Sequence, residues 1–213
     1  MHGQKGTTRG WGGEALRRAW SRLSSLWRGR ASAELPADAV RVARQIHVSG
    51  RRVVGFLPAS SKVPTSRLCR ELGTALARLY GKRVAWLDLG ATYRAQAEKT
   101  PDAVGLHDEG LFAARWLEDG FLWVAPEGKA DQGVRFQLVE TMIAYLVTSH
   151  DFGFEHVLVD LAGFDRLGEL LGTLDHLEGV IVVGRAGRTR YADLERVHKE
   201  LPRKQNLGVL LTQ

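Results

Sequence analysis

The sequence predicts an α/β fold, a mostly parallel β-sheet flanked by helices on both faces. Three observations predict it. Short apolar runs rich in β-branched residues, such as RRVVGFL (51–57), FEHVLVDLAG (154–163) and GVIVVGR (179–185), are nearly continuous, as strands covered on both faces are. Longer stretches with apolar positions at helical spacing lie between them. The two kinds of segment alternate along the chain, which is the order that parallel strands joined by crossover helices require.

Taken in order, ADAVRVARQIHV (37–48), after Pro36, predicts a helix, and RRVVGFL the first strand. A long helix over 65–80 runs to Gly81, a residue suited to ending it, and RVAWLDL (83–89) is the second strand. FLWVAP (121–126) is a third short strand. The helix VRFQLVETMIAYLVTSH (134–150) precedes FEHVLVDLAG, and GVIVVGR is followed by the helix RYADLERVHKEL (190–201) and the strand NLGVLLTQ (206–213). No internal repeat or low-complexity segment interrupts this part.

Of 213 residues, 44% are hydrophobic and 25% charged, enough to bury one full core. No run approaches the ~18 apolar residues of a membrane-spanning helix, and no signal peptide is read at the start, so a cytoplasmic protein is expected. The net charge of +6 suggests nucleic acid until it is located. Residues 1–33 hold seven basic residues and one acid, leaving 23 of each sign in the remainder. The basic character belongs to a tail, and the neutral balance of residues 34–213 argues against a nucleic-acid partner or a DNA-positioning role.

The division is therefore a basic tail over 1–33 and a domain over 34–213. Within the tail, Leu16, Trp20, Leu23 and Trp27 recur at helical spacing, with Leu26 widening the stripe and Arg17, Arg18, Arg22 and Arg28 on or near the other face. An amphipathic helix over about 14–28 is predicted. It suits the headgroup region of an anionic membrane, a groove on a partner protein, or its own domain. Gly29 to Pro36 reads as a linker that would release it.

In a parallel sheet, ligands sit beyond the carboxyl ends of the strands. PASSKVPTS (58–66), Asp88, Asp160 with the following AGF, and Arg185 are predicted to gather there. Other chemistries are thinly represented. The seven histidines show no close metal-ligand spacing, the lone Cys69 reads as a buried apolar residue, and no serine-hydrolase elbow occurs.

YGKRVAWLDL, FLWVAPEG, FEHVLVDLAG and GVIVVGRAGRTRYADLERVHKEL leading to NLGVLLTQ, in this order and spacing, resemble the MinD/ParA-like P-loop ATPases. Within them the likeness is closest to the cytoplasmic domains of bacterial tyrosine kinases that regulate capsule and exopolysaccharide export. The resemblance covers roughly residues 40–213 and implies a P-loop NTPase-like three-layer sandwich. It also implies a GxxxxGK[ST] loop, whose amides, lysine and hydroxyl hold phosphates and Mg²⁺.

That motif falls here on Ala59, Ser60, Ser61, Lys62, Val63, Pro64, Thr65 and Ser66. Ala59 and Pro64 occupy the glycine positions, Thr65 the lysine position, and Ser60 the position of the family's additional lysine; only the hydroxyl persists, as Ser66. Pro64 offers no N–H and pushes Val63 toward extended conformations, so a phosphate cradle is hard to build. Asp88 and Asp160 match family aspartates that act in catalysis or hold Mg²⁺, although Gly90 replaces the second acid beside Asp88. With Ser66 they could bind a hard cation; alternatively each caps a following turn.

The resemblance implies a pseudo-ATPase with no catalytic residue, cofactor or metal expected. It would act as a scaffold or regulator at the inner membrane face. ATP or ADP with Mg²⁺, using Asp88, Asp160 and Ser66, is the alternative. The expected partners are a catalytic relative or a membrane exporter component, with a homodimer or heterodimer across the nucleotide face. The chain stops at Gln213 in its last predicted strand, so no tyrosine-rich tail of the kinase type is expected.

Overall fold

The computed structural model describes residues 35–90, 104–105, 112–118, 120–126, 132–148, 153–162 and 174–213. The tail over 1–33, with the helix read at 14–28, lies outside them. The described elements are α1 (Ala37–Val48), β1 (Val53–Pro58), α2 (Ser66–Tyr80), β2 (Val84–Asp88), β3 (Val104–Gly105) and β4 (Phe112–Glu118). They continue with β5 (Phe121–Pro126), α3 (Gln132–Thr148), β6 (His156–Asp160), β7 (Gly179–Arg185), α4 (Tyr191–Glu200) and β8 (Asn206–Thr212).

Eight strands form one sheet in the order β3-β4-β5-β2-β6-β1-β7-β8. The six from β5 to β8 pair in parallel. β4 pairs antiparallel with both β3 and β5, a short edge that the sequence reading did not contain. The reason is local: FAARWLE sits half-buried, with Arg115 and Glu118 among its apolar residues, and a bulge between Trp116 and Glu118 breaks its alternation.

Right-handed crossovers decide which face each helix covers. The step from β1 to β2 through α2 runs one way along the sheet, and the steps from β5 to β6 and from β7 to β8 run the other. α2 therefore covers one face, and α3 and α4 the opposite one. On the α2 face, Val54, Phe56, Val84, Trp86, Phe121, Trp123, Leu158, Ile181 and Val183 pack with the buried stripes of α1 and α2. On the opposite face, a Cβ built on Gly184 would meet Leu194 of α4 and Leu211 of β8. The predicted three-layer arrangement is thus what the chain forms.

α1 buries Ala39, Val42, Ala43 and Ile46, the i, i+3, i+4, i+7 stripe of its sequence. α2 buries a wider stripe from Leu68 to Ala77 and ends at Gly81, whose φ of 61° closes it in the left-handed region. Arg78 near its end grips Glu118 of β4 through Nε at 2.7 Å and Nη2 at 2.8 Å, tying α2 to the antiparallel edge. At the amino end of the sheet, His156 Nδ1 lies 3.2 Å from the Arg51 carbonyl, and its Nε2 3.3 Å from Nδ1 of His47. Burial pushes the His156 imidazole below its ordinary pKa, and the neighbouring His47 adds to that.

Gly73 sets how closely α2 approaches the sheet, because a Cβ there would collide with the fully buried ring of Phe121. Helix propensity alone favours Gly73→Ala by about 1 kcal/mol. The contact reverses the sign: Gly73→Ala should lower stability in urea unfolding by about 1–3 kcal/mol, the usual cost of overpacking. A stabilised variant would show that Phe121 has room to move.

Candidate functional site

The first crossover begins where β1 ends. The Ala59 N–H donates to the Val183 carbonyl at 2.8 Å, fastening the loop to β7. A turn follows, closed by the Val63 N–H on the Ser60 carbonyl at 3.0 Å. Its apolar member Val63 is buried in the α1/α2 core, while Ser61, Lys62 and Pro64 are exposed and Ser60 is half-buried. Thr65, right-handed at φ −89° and ψ −27°, leads into α2.

No residue from 59 to 65 has a positive φ. A nest of converging amides is commonly built from right-handed and left-handed residues in succession, and this loop holds no left-handed one. Two of its amides are already bonded within the fold. The loop therefore lacks a left-handed amide nest, the motif's lysine position holds Thr65, and the one first-turn cation, Arg67, is turned to Glu71 at 2.8 Å, so these residues do not fit a triphosphate.

The hydroxyls at the start of α2 take a different course. A threonine before a helix ordinarily caps it, but Thr65 makes no capping hydrogen bond. Its Oγ1 donates instead to Oδ1 of Asp160, at the end of β6. Ser66 Oγ donates to Oδ2 of the same carboxylate at 2.8 Å, and the Ala162 N–H donates to Oδ1 at 3.0 Å. Asp160 is fully buried, so these donors replace the water it has lost.

Asp88 sits beside it, in register on the adjacent β2 and equally buried. Among its partners is the indole N–H of Trp123, donated from β5 to Oδ2 at 3.2 Å. Beneath the pair lies Cys69, also fully buried. Burial pushes its thiol pKa well above the ordinary value, and the charges of Asp160 and Asp88 push it further, so the thiol stays neutral and unreactive.

The structure brings together Ser66, Asp160 and Asp88 and leaves Lys62 outside, exposed on the turn. Arg185 ends β7 in a tight turn, with its N–H donating to Thr189 Oγ1 at 2.7 Å. Thr65 and Trp123 are the functional-site residues that sequence reasoning missed as donors. For Thr65 the signal was present, because a hydroxyl stood at a motif position where a lysine was expected. Among the described residues, no group of three or more His, Cys, Asp or Glu could hold a metal ion.

This architecture, with crossovers leaving in opposite directions beside β1 and a loop there leading into the crossover helix, is that of a doubly wound α/β fold. The chain is similar in fold to solved bacterial tyrosine kinase domains. The BceF tyrosine kinase domain superposes with a TM-score of 0.60 at 15% identity, over 81% of this chain and 73% of that one. The kinase domain of VpsO gives 0.55 at 14% identity, over 94% and 97%. The kinase domain of the Escherichia coli tyrosine kinase ETK gives 0.59 at 13% identity, over 89% and 85%. No protein-family model matches the chain, and no curated protein matches it. The resemblance read from the four strand segments is met at the level of fold.

Thr65→Val keeps the side-chain shape and removes one donor from the buried Asp160 carboxylate. It should cost about 1–3 kcal/mol in chemical unfolding, and Thr65→Ser should cost much less. Equal, negligible losses in both would mean that the hydroxyl contributes nothing there.

Proposed function

We propose that the chain is a binding module built on a tyrosine-kinase-like fold, a scaffold or regulator that works without nucleotide. The observation that carries this reading is the engagement of Asp160 by Thr65 and Ser66. Both oxygens of this carboxylate accept hydrogen bonds from the chain's own hydroxyls, which supports a site that stands without a metal. The loop without left-handed residues supports the same conclusion.

Its partners under this reading are proteins, a catalytic relative or a component of an envelope polysaccharide exporter, met at the inner membrane face. The tryptophan and arginine stripe over 14–28 would provide the attachment, to anionic lipid or to the partner. No helix of the described residues is long and apolar enough to cross a membrane. A second reading, weak Mg²⁺-dependent nucleotide binding, draws on one observation: Asp88, Asp160 and Ser66 stand together at the strand ends.

Isothermal titration of the full chain with ATP and with ADP in Mg²⁺ separates the two. The binding-module reading expects no association tighter than about 100 μM, a free energy of roughly −5.5 kcal/mol. Tighter binding that Asp160→Asn abolishes would establish the second reading instead.

A further inference from the structure

β8 is the outer edge of the sheet, and β7 is its one neighbour among the described residues. Its first part is irregular. The register with β7 shifts between Val180 and Val182, and Gly208 there takes a φ of 107°. From Val209 to Thr212 the strand is regular, in step with Val182 to Arg185. Exposed edges are ordinarily guarded by charge, proline or a bulge. The regular stretch VLLT has none of these, and Val209 and Leu211 are 46% and 56% exposed.

Both ends of this edge are basic. At the carboxyl end, the Ala186 N–H donates to the Thr212 carbonyl at 2.7 Å, which sets the turn holding Arg188 and Arg190 against the strand. Both arginines are exposed and form no ion pair among the described residues. At the other end stand Arg203 and Lys204, likewise exposed and unpaired among those residues. On α4, Asp193 and Glu195 are engaged by Arg196 and Lys199, at 4.0 and 2.7 Å. Residues 185–213 carry seven basic residues against three acidic ones, although 34–213 as a whole is balanced.

These charges choose between occupants. A two-fold pairing of β8 with a second copy is antiparallel. It would set the arginine turn of one chain beside Arg203 and Lys204 of the other, like charge against like charge. A strand with acids at both ends meets opposite charge at both. We infer that β8 receives an extended acidic segment of a partner protein as an added strand. Backbone hydrogen bonds would supply the pairing, alternate apolar side chains would cover Val209 and Leu211, and terminal acids would face the two basic clusters. This surface stands apart from the Asp160 site and holds whether or not the chain binds nucleotide.

A displayed library of short random peptides, selected on the full chain, tests it, with the selected peptides measured by fluorescence anisotropy. They should alternate apolar residues, carry Asp or Glu at both ends, and slow amide exchange at Val209 to Thr212. Binding should weaken about tenfold or more in Val209→Asp/Leu211→Asp and in Arg188→Glu/Arg190→Glu. The second variant changes only exposed residues with no ion pair among those described, so it decides the matter even if the first fails to fold. Failure to select any binder, selection of basic peptides, or selected peptides that bind both variants as tightly as the parent would overturn the inference. So would a dimer in sedimentation that Val209→Asp/Leu211→Asp dissolves, which would give the edge to a second copy.

Discussion

A buried carboxylate is costly unless hydrogen bonds replace its water, and the carboxyl end of this sheet is organised around that constraint. Asp160 is fully buried, and its described partners are two hydroxyls and one amide. Those donors come from the first residues of α2 and from the turn after β6. Satisfying the charge therefore pins the start of α2, draws the loop in from β1, and shapes that turn. The positive end of the α2 dipole lies at the same place and adds to the stabilisation. In a loop with a lysine and a metal, compensation would come partly from the ligand; here it comes from Thr65 and Ser66.

Much of this was legible in the sequence. The buried parallel strands announced themselves as continuous valine-rich runs, and the helices as apolar stripes, because burial on two faces leaves little room for polar residues. β4 was not legible: a half-buried antiparallel edge tolerates Arg115 and Glu118, and its bulge erases the alternation. β3 is two residues long, too short to carry a pattern. At the site, the chain shows which motif residues are missing and where the aspartates fall. It does not show that Thr65 reaches Asp160, because that bond joins residues 95 positions apart and depends on how β6 and α2 meet. The indole of Trp123 reached Asp88 for the same reason, through strand order rather than sequence proximity.

Charge was similarly concealed by averaging. Residues 34–213 balance to zero, yet the last turn, helix and strand are locally basic on either side of an unguarded edge. The basic run RAGRTRY (185–191) lies beside β8, with the Ala186 N–H bonded to the Thr212 carbonyl. The two surfaces divide the molecule: a strand-end site closed by its own hydroxyls, and a sheet edge open to another chain. Under the proposed reading, the first surface is structural and the second is the one that meets a partner.

The central claim is that the loop between β1 and α2 is complete without a ligand. Amide hydrogen exchange across residues 59–68, with and without excess Mg–ATP, tests it most directly. The account predicts the same exchange in both conditions, because the Asp160 bonds and the turn at Ser60 are already made. Slowing of about tenfold or more on adding nucleotide would contradict it, since a loop that closes on phosphate must have been open before.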